Sequence, residues 1–284
     1  MSYSAQEYRI ARTTGRLAPN PAVPWSWSAC LLASLGSMRL GARELADSSR
    51  LGNHATEVTG DATKLPARSW SRELGRFAWT FDGSNDGLET PIVAWDDIGG
   101  GNEFTMAAWI KTNAAGAGND VVLGSHETDR FYLAINYGAN PPRLFWGLGN
   151  TTSNSSGYAT LAADGTKWEA VAVIRRGSQI ETWVDGVLVS DVAYTGNDDY
   201  ATQRFHVGTG YQASAQSLPF NGQLTDPILS REAWSPAAVR WYSNPRRPLA
   251  VPDASIDFRA LRAQVAAGRA LSPFDSLIFA GGVL

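Results

Sequence analysis

Between Trp168 and Val189 apolar residues recur at every second position, and the run is cut twice by residues that reverse a chain. Trp168, Ala170, Ala172 and Ile174 share one side of an extended segment. After Arg176-Gly177-Ser178, Ile180 and Val184 again fall on one side, and Asp185-Gly186 supplies a second reversal. Period two marks a strand with a buried side. Asp-Gly between alternating apolar residues predicts a type I′ turn, whose two central residues need positive φ. The stretch therefore reads as three antiparallel strands. Its other face, Glu169 and Glu181 beside Val171, Val173 and Trp183, is half apolar and could meet a second layer, a ligand or a partner chain.

The same reading extends along the chain. Phe77, Trp79 and Phe81 alternate with Ala78, Thr80 and Asp82 ahead of the turn residues Asp82 to Gly87. Further strands are expected at Ala29 to Leu35, within Leu45 to Gly60, and at Phe104 to Lys111, Val121 to Gly124, Phe131 to Tyr137, Arg143 to Leu148, Arg204 to Gly208 and Phe220 to Leu229, separated by Gly-, Asn- and Pro-containing loops. Ser235-Pro236 reads as an N-cap with proline in the first turn, opening a short helix to about Tyr242 that Asn244-Pro245 ends. Three regions follow. Residues 1–24 form an Arg- and Pro-rich arm without sustained period, residues 25–248 an all-β sandwich of two antiparallel sheets, and residues 249–284 a tail. Pro273 to Leu284 carries one charge, Asp275, so this apolar terminus is expected to dock on its own domain or on another subunit.

Composition narrows the options. Of 284 residues 44% are hydrophobic and 18% charged, with 28 Gly and 14 Pro, which suits many short strands joined by tight turns. A formal net charge of -3 gives no electrostatic ground for nucleic acid as a partner. The lone Cys30 cannot make an intrachain disulfide, as expected for assembly in a reducing cytosol. Residues 17–38 are uncharged behind Arg9, Arg12 and Arg16. Pro19, Pro21 and Pro24 break any helix there, so neither a secretory signal nor a membrane span is expected.

Leu45 to Gly60, the block Gly75 to Gly87 (GRFAWTFDGSNDG), Phe104 to Lys111 (FTMAAWIK), Trp168 to Val189 and Phe220 to Val239 follow one another in an order and spacing that resembles the concanavalin A-like lectin/glucanase superfamily, and within it the laminin-G-like domains. The resemblance implies a jelly-roll sandwich. In style it is nearest to versions found in bacteriophage and prophage virion proteins, where a Pro-rich start precedes the domain and a short helix ending in Asn-Pro follows it; Arg240 to Pro248 (RWYSNPRRP) fits that ending.

Such folds host glucanases, lectins and structural modules, so chemistry must come from residues. Glycoside hydrolysis needs two carboxylates flanking the scissile bond. The nearest approach is Glu127-Thr128-Asp129, but Tyr132 stands where the pattern of the glucanases needs a third acid, and His54, His126 and His206 lie apart in the sequence. No catalytic set is expected. Calcium takes six to eight oxygens, and Asp82, Asn85 and Asp86 could supply some, although Asp, Asn and Gly are also what any tight turn uses. The resemblance places an acid where this chain has Thr225, next to Asp226, which weakens that case. For sugar, Trp79, Trp109, Trp168 and Trp183 are assigned to the core, while Trp146 and Asn150, beside the polar loop Asn150 to Gly157, and Tyr211 are the candidates for a stacking surface.

Two functions are expected. The first is a non-enzymatic structural protein of a bacteriophage virion, as capsid decoration or as a tail or fibre component, assembled in the host cytoplasm. It would be anchored to other virion proteins or to copies of itself through Arg9, Arg12 and Arg16 of the arm and Phe274, Leu277, Ile278 and Phe279 of the tail. The second is a lectin-like module binding cell-surface glycans for adhesion.

Overall fold

A computed structural model describes residues 17–19, 29–32, 44–45, 53–58, 64–90, 103–113, 119–125, 130–139, 141–149, 159–161, 165–196, 204–212, 215–246 and 250–252. Its strands in chain order are β1 Leu17–Pro19, β2 Ala29–Leu32, β3 Glu44–Leu45, β4 Ala55–Glu57, β5 Ala67–Ser71, β6 Arg76–Asp82, β7 Leu88–Glu89, β8 Glu103–Thr112, β9 Asn119–Ser125 and β10 Arg130–Asn136. They continue with β11 Arg143–Gly149, β12 Ala159–Thr160, β13 Glu169–Arg176, β14 Gln179–Val184, β15 Val187–Ala193, β16 His206–Val207, β17 Gly210–Gln212, β18 Ala215–Ser217, β19 Asn221–Ser230 and β20 Ala250–Pro252, and among the described residues one helix, α1, spans Pro236–Tyr242.

Two antiparallel sheets carry the domain, in the order β12-β11-β10-β9-β16-β7-β4-β3 and β15-β14-β13-β8-β19-β6-β5, with β2 beside β19. The central hairpins form where the turn chemistry places them. Gly177 has φ 59, and Asp185 and Gly186 have φ 51 and 79, both central residues left-handed as a type I′ turn requires. Asp185 adds a side-chain role, since its Oδ1 accepts from the Ala170 N–H at 3.0 Å. Ser235 caps α1, its hydroxyl accepting from the Ala238 N–H at 3.3 Å.

The two faces of β13 are both buried, and they divide differently from the alternation read along the sequence. Val171, Val173, Ile180 and Val184 point between the sheets, with Trp79, Phe81, Phe104, Phe131, Trp146 and Phe220. Trp168, Ala170, Ala172, Ile174 and Trp183 point outward, under Trp234, Val239 and Tyr242 of the helical segment. Ile180 and Val184 therefore lie opposite the Trp168 side, and the second layer meeting Trp183 is α1. Aromatic edge contacts bridge the two sheets, as between Phe104 and Phe131 with ring centres 4.6 Å apart. Gly208, at φ 74, passes so close to Phe81 that a Cβ would overlap the ring.

β19 changes partner along its length. Asn221 to Leu224 pair with β6, whereas Ile228 to Ser230 pair with β2, and the register against β8 shifts between Thr225 and Ile228. Asp226-Pro227 sits in that shift. A proline cannot donate to a sheet ladder, so a bulge is where a central strand tolerates one. Outside the expected domain limits, β1 in the arm pairs antiparallel with β20 in the tail.

Candidate functional site

The Asp82 to Gly87 turn is built by its own carboxylates. Asp82 Oδ1 accepts from the backbone N–H of Ser84, Asn85 and Asp86 at 2.8, 3.1 and 3.4 Å, and Asp86 Oδ2 accepts from the Asp82 N–H at 2.9 Å. Burial pulls the Asp82 carboxyl upward, but the backbone N–H groups outweigh it and hold its pKa below the ordinary range. Asp86 is pushed up by burial, with the Asp82 charge adding to it against the Asp82 N–H. Around this turn other strands also end on Asx residues that hold chain. Asn221 N donates to Asp120 Oδ2 at 3.1 Å, and Asn113 Nδ2 donates to Asn221 Oδ1 at 3.2 Å. Asn136 Oδ1 accepts from Ala139 N at 3.2 Å. The Asn136 bond, like those of Asp82, is a local Asx-type turn bond, whereas the other two tie together segments far apart in the chain. Among the described residues no group of three or more His, Cys, Asp or Glu side chains could hold a metal ion.

Asp120 in this rim is 9% exposed, and burial, opposed by the Asn221 N–H, raises its pKa to about 6. An unfolded aspartate titrates near about 3.9. Between these values the folded state binds the proton more tightly, so the stability that Asp120 contributes is full below the unfolded pKa and is lost as pH rises through the folded one. Asp120→Asn keeps an acceptor for Asn221 and removes the charge. In urea unfolding the variant should gain on the wild type from pH 4.5 to pH 7; a constant difference would show that Asp120 titrates normally in the fold.

Trp146, expected to stack on sugar, is 0% exposed. It lies opposite Leu133 in the β10–β11 ladder, with its ring edge-to-face with Tyr194 at 5.9 Å, and Leu144 and Leu148 share its inward face. The parity of β11 turns it into the core, away from the loop that follows. Trp79, Trp109, Trp168 and Trp183 are buried as expected. Tyr132 lies on the outer face of its sheet, edge-to-face with Phe145 at 5.8 Å. Tyr211 lies in β17, its side chain outside the described residues; Asn150, Glu127 to Asp129, His126, Arg9, Arg12, Arg16, Phe274, Leu277, Ile278 and Phe279 also fall outside them. His54 is exposed, and the buried His206 approaches Glu89 with Nε2 3.8 Å from Oε2. No helix among the described residues is long and apolar enough to cross a membrane.

The aromatic surface is elsewhere. Trp70, in β5 at the outer edge of the second sheet, is 46% exposed, and it is the exposed large aromatic among the described residues. It faces Phe77 across the β5–β6 ladder, ring centres 5.1 Å apart at 82°. Arg68, two residues earlier and on the same face, lays its guanidinium 3.8 Å from the centre of the Phe77 ring. The opposite face of this edge is polar, with Gln223 Nε2 donating to Ser69 Oγ at 3.4 Å and to Thr80 Oγ1 at 3.3 Å. The one carboxylate of the following turn, Glu73, is taken up by Lys111 at 2.8 Å. Sequence reasoning passed over β5 because Ala67 to Ser71 (ARSWS) has too little apolar content to show alternation. The legible signal was a tryptophan set between serines and arginines.

Residues 82–240, more than half of the chain, match the family model described as Concanavalin A-like lectin/glucanases superfamily. No curated protein matches the chain by sequence. Among solved structures, the chain resembles domain 4 of AbnA, a GH43 extracellular arabinanase from Geobacillus stearothermophilus, in complex with arabinotriose: TM-score 0.51 and 15% identity, over 76% of this chain and 98% of that one. The binding domain of Botulinum neurotoxin serotype D gives 0.52 and 13%, over 77% and 51%. Trypanosoma rangeli sialidase in complex with sialic acid gives 0.53 and 14%, over 83% and 36%. The chain thus spans about half of the toxin domain and about a third of the sialidase. At such identities the likeness is one of fold.

Proposed function

Because the chain belongs to the concanavalin A-like lectin/glucanases superfamily, we propose that it is a carbohydrate-binding, lectin-like module without catalytic activity, serving adhesion to a glycan-bearing cell surface. The observation that carries this reading is Trp70, an indole 46% exposed at a sheet edge and braced by Phe77. A sugar ring has an apolar C–H face that such an indole can cover, while the hydroxyls at its rim seek polar neighbours. Structures of this fold with arabinotriose and with sialic acid bound support the reading. So does the pairing of Glu73 with Lys111, which occupies the turn's carboxylate beside the tryptophan.

Covering roughly 100 Å² of apolar surface contributes on the order of 2–3 kcal/mol, so Trp70→Ala should weaken a bound glycan roughly 30- to 150-fold. The test is a glycan array probed with the wild-type protein, followed by calorimetric titration of its best ligands into both proteins. An array without binding, or equal affinity in the variant, overturns the proposal.

A second reading, a structural subunit of a bacteriophage virion anchored by its extensions, is favoured by the β1–β20 ribbon. That ribbon pairs Leu17–Pro19 of the arm with Ala250–Pro252 of the tail. Under it, hydrogen exchange in residues 1–24 and 249–284 should slow strongly when the protein enters the particle with which it purifies. Unchanged exchange on assembly would end this reading and leave the glycan-binding one standing.

A further inference from the structure

Arg68 is half-buried against an aromatic ring with part of its hydrogen-bonding capacity unmet. Its guanidinium lies against Phe77, yet among the described residues its buried Nε has no acceptor and no carboxylate forms an ion pair with it. Burial lowers its pKa. A buried donor left without an acceptor is among the expensive features of a fold, more so when it is charged. Directly across the ladder from Arg68 stands Trp79, whose buried Nε1 also lacks an acceptor. Trp79 belongs to the core between the sheets, so of these two donors Arg68 is the one at the β5 edge, next to the exposed Trp70. The segment from Lys64 to Arg72 adds three cations (Lys64, Arg68 and Arg72) and no acid, in a chain whose net charge is -3.

A guanidinium stacked on an aromatic ring keeps its N–H groups in the ring-parallel plane, where they can still fork onto a carboxylate. Arg68 and Trp70, at i and i+2 on one face, thus present an anion-seeking group and a stacking face side by side. Resting on the glycan-binding reading above, we infer that the β5 edge is a site for an acidic sugar, whose carboxylate is received by Arg68 while its ring covers Trp70. Both a uronic acid and a nonulosonic acid carry that chemistry. Affinity therefore depends on the charge of the sugar as well as on its shape.

The test titrates the full chain with trigalacturonate and 3′-sialyllactose as acidic probes, maltotriose and lactose as neutral ones, and hexaglutamate as an acidic peptide. At least one acidic sugar should bind about tenfold or more tightly than its neutral counterpart, as expected for a charge-assisted hydrogen bond, and its affinity should fall as salt rises. Which acidic sugar binds separates the two sources. Arg68→Gln should abolish that preference, bringing the affinity for the acidic sugar down to that of its neutral counterpart in the same titration. Trp70→Ala should weaken acidic and neutral sugars alike. If neutral sugars bind at Trp70 as tightly as acidic ones, or Arg68→Gln retains the preference, the acidic-sugar inference fails and the glycan-binding reading survives. If hexaglutamate binds as tightly as the acidic sugars, the carbohydrate class is wrong for this site. If glycans bind and neither substitution matters, the site is misplaced; if none of the probes binds, the inference falls.

Discussion

Arg76→Ala is expected to remove about 3–5 kcal/mol of unfolding free energy, the cost of leaving one member of a buried ion pair alone. Arg76 and Asp226 are 8% and 2% exposed, and Arg76 Nη1 donates to Asp226 Oδ2. The same guanidinium donates through Nη2 to the Pro245 carbonyl at 2.7 Å and through Nε to the Leu74 carbonyl at 3.4 Å. Tyr242, at the end of α1, donates its hydroxyl to the Asp226 carbonyl at 2.9 Å, and burial, with the Asp226 charge adding to it, raises its pKa well above the ordinary value. One arginine thereby ties the turn before β6, the bulge in β19 and the chain leaving α1. Asp226 occupies φ 49, a left-handed position that asparagine also tolerates. Arg76→Ala combined with Asp226→Asn should therefore regain part of the loss, because the uncompensated charge goes while the bulge remains. Urea denaturation of the two single variants and the double variant measures this. A loss below about 1 kcal/mol for Arg76→Ala would show that the pair behaves as a solvated surface contact.

Trp146→Ala should cost about 3–5 kcal/mol, the range for deleting a large aromatic from a packed core, and should leave glycan affinity of the folded protein unchanged. The indole is packed among inward residues of both sheets, including Leu133, Leu144, Leu148 and Val173, with Tyr194 against its ring. A cavity of that size cannot close without moving two sheets. Calorimetric melting together with glycan titration below the transition separates the two roles. A variant that melts like the wild type and loses glycan binding would return Trp146 to the surface.

Much of the fold was legible in the sequence because its signals are local. The Asp185-Gly186 reversal is dictated by φ, and both residues adopt it. Ser235-Pro236 opens α1 because a hydroxyl can cap a free N–H and proline needs none in the first turn. The strands from Glu103 to Gly149 lie within a residue or two of their expected limits since alternation of large apolar residues survives in any environment. The candidate site was hidden for the opposite reason. β5 has one large apolar residue, and it becomes a strand through its ladder to β6.

The sequence alone thus determined the strands rich in alternating apolar residues, the two tight reversals of the central hairpins, the capped helix and the family. Tertiary structure decided which face of each strand looks inward, which tryptophan meets solvent, what Asp226 pairs with and where an arginine lacks an acceptor. Period two has no sign: Val171 and Ala172 alternate identically whichever sheet face is packed against the other layer. Exposure and charge pairing are set by elements far apart in the chain, such as Arg76 and Asp226, and exist only once both sheets are assembled.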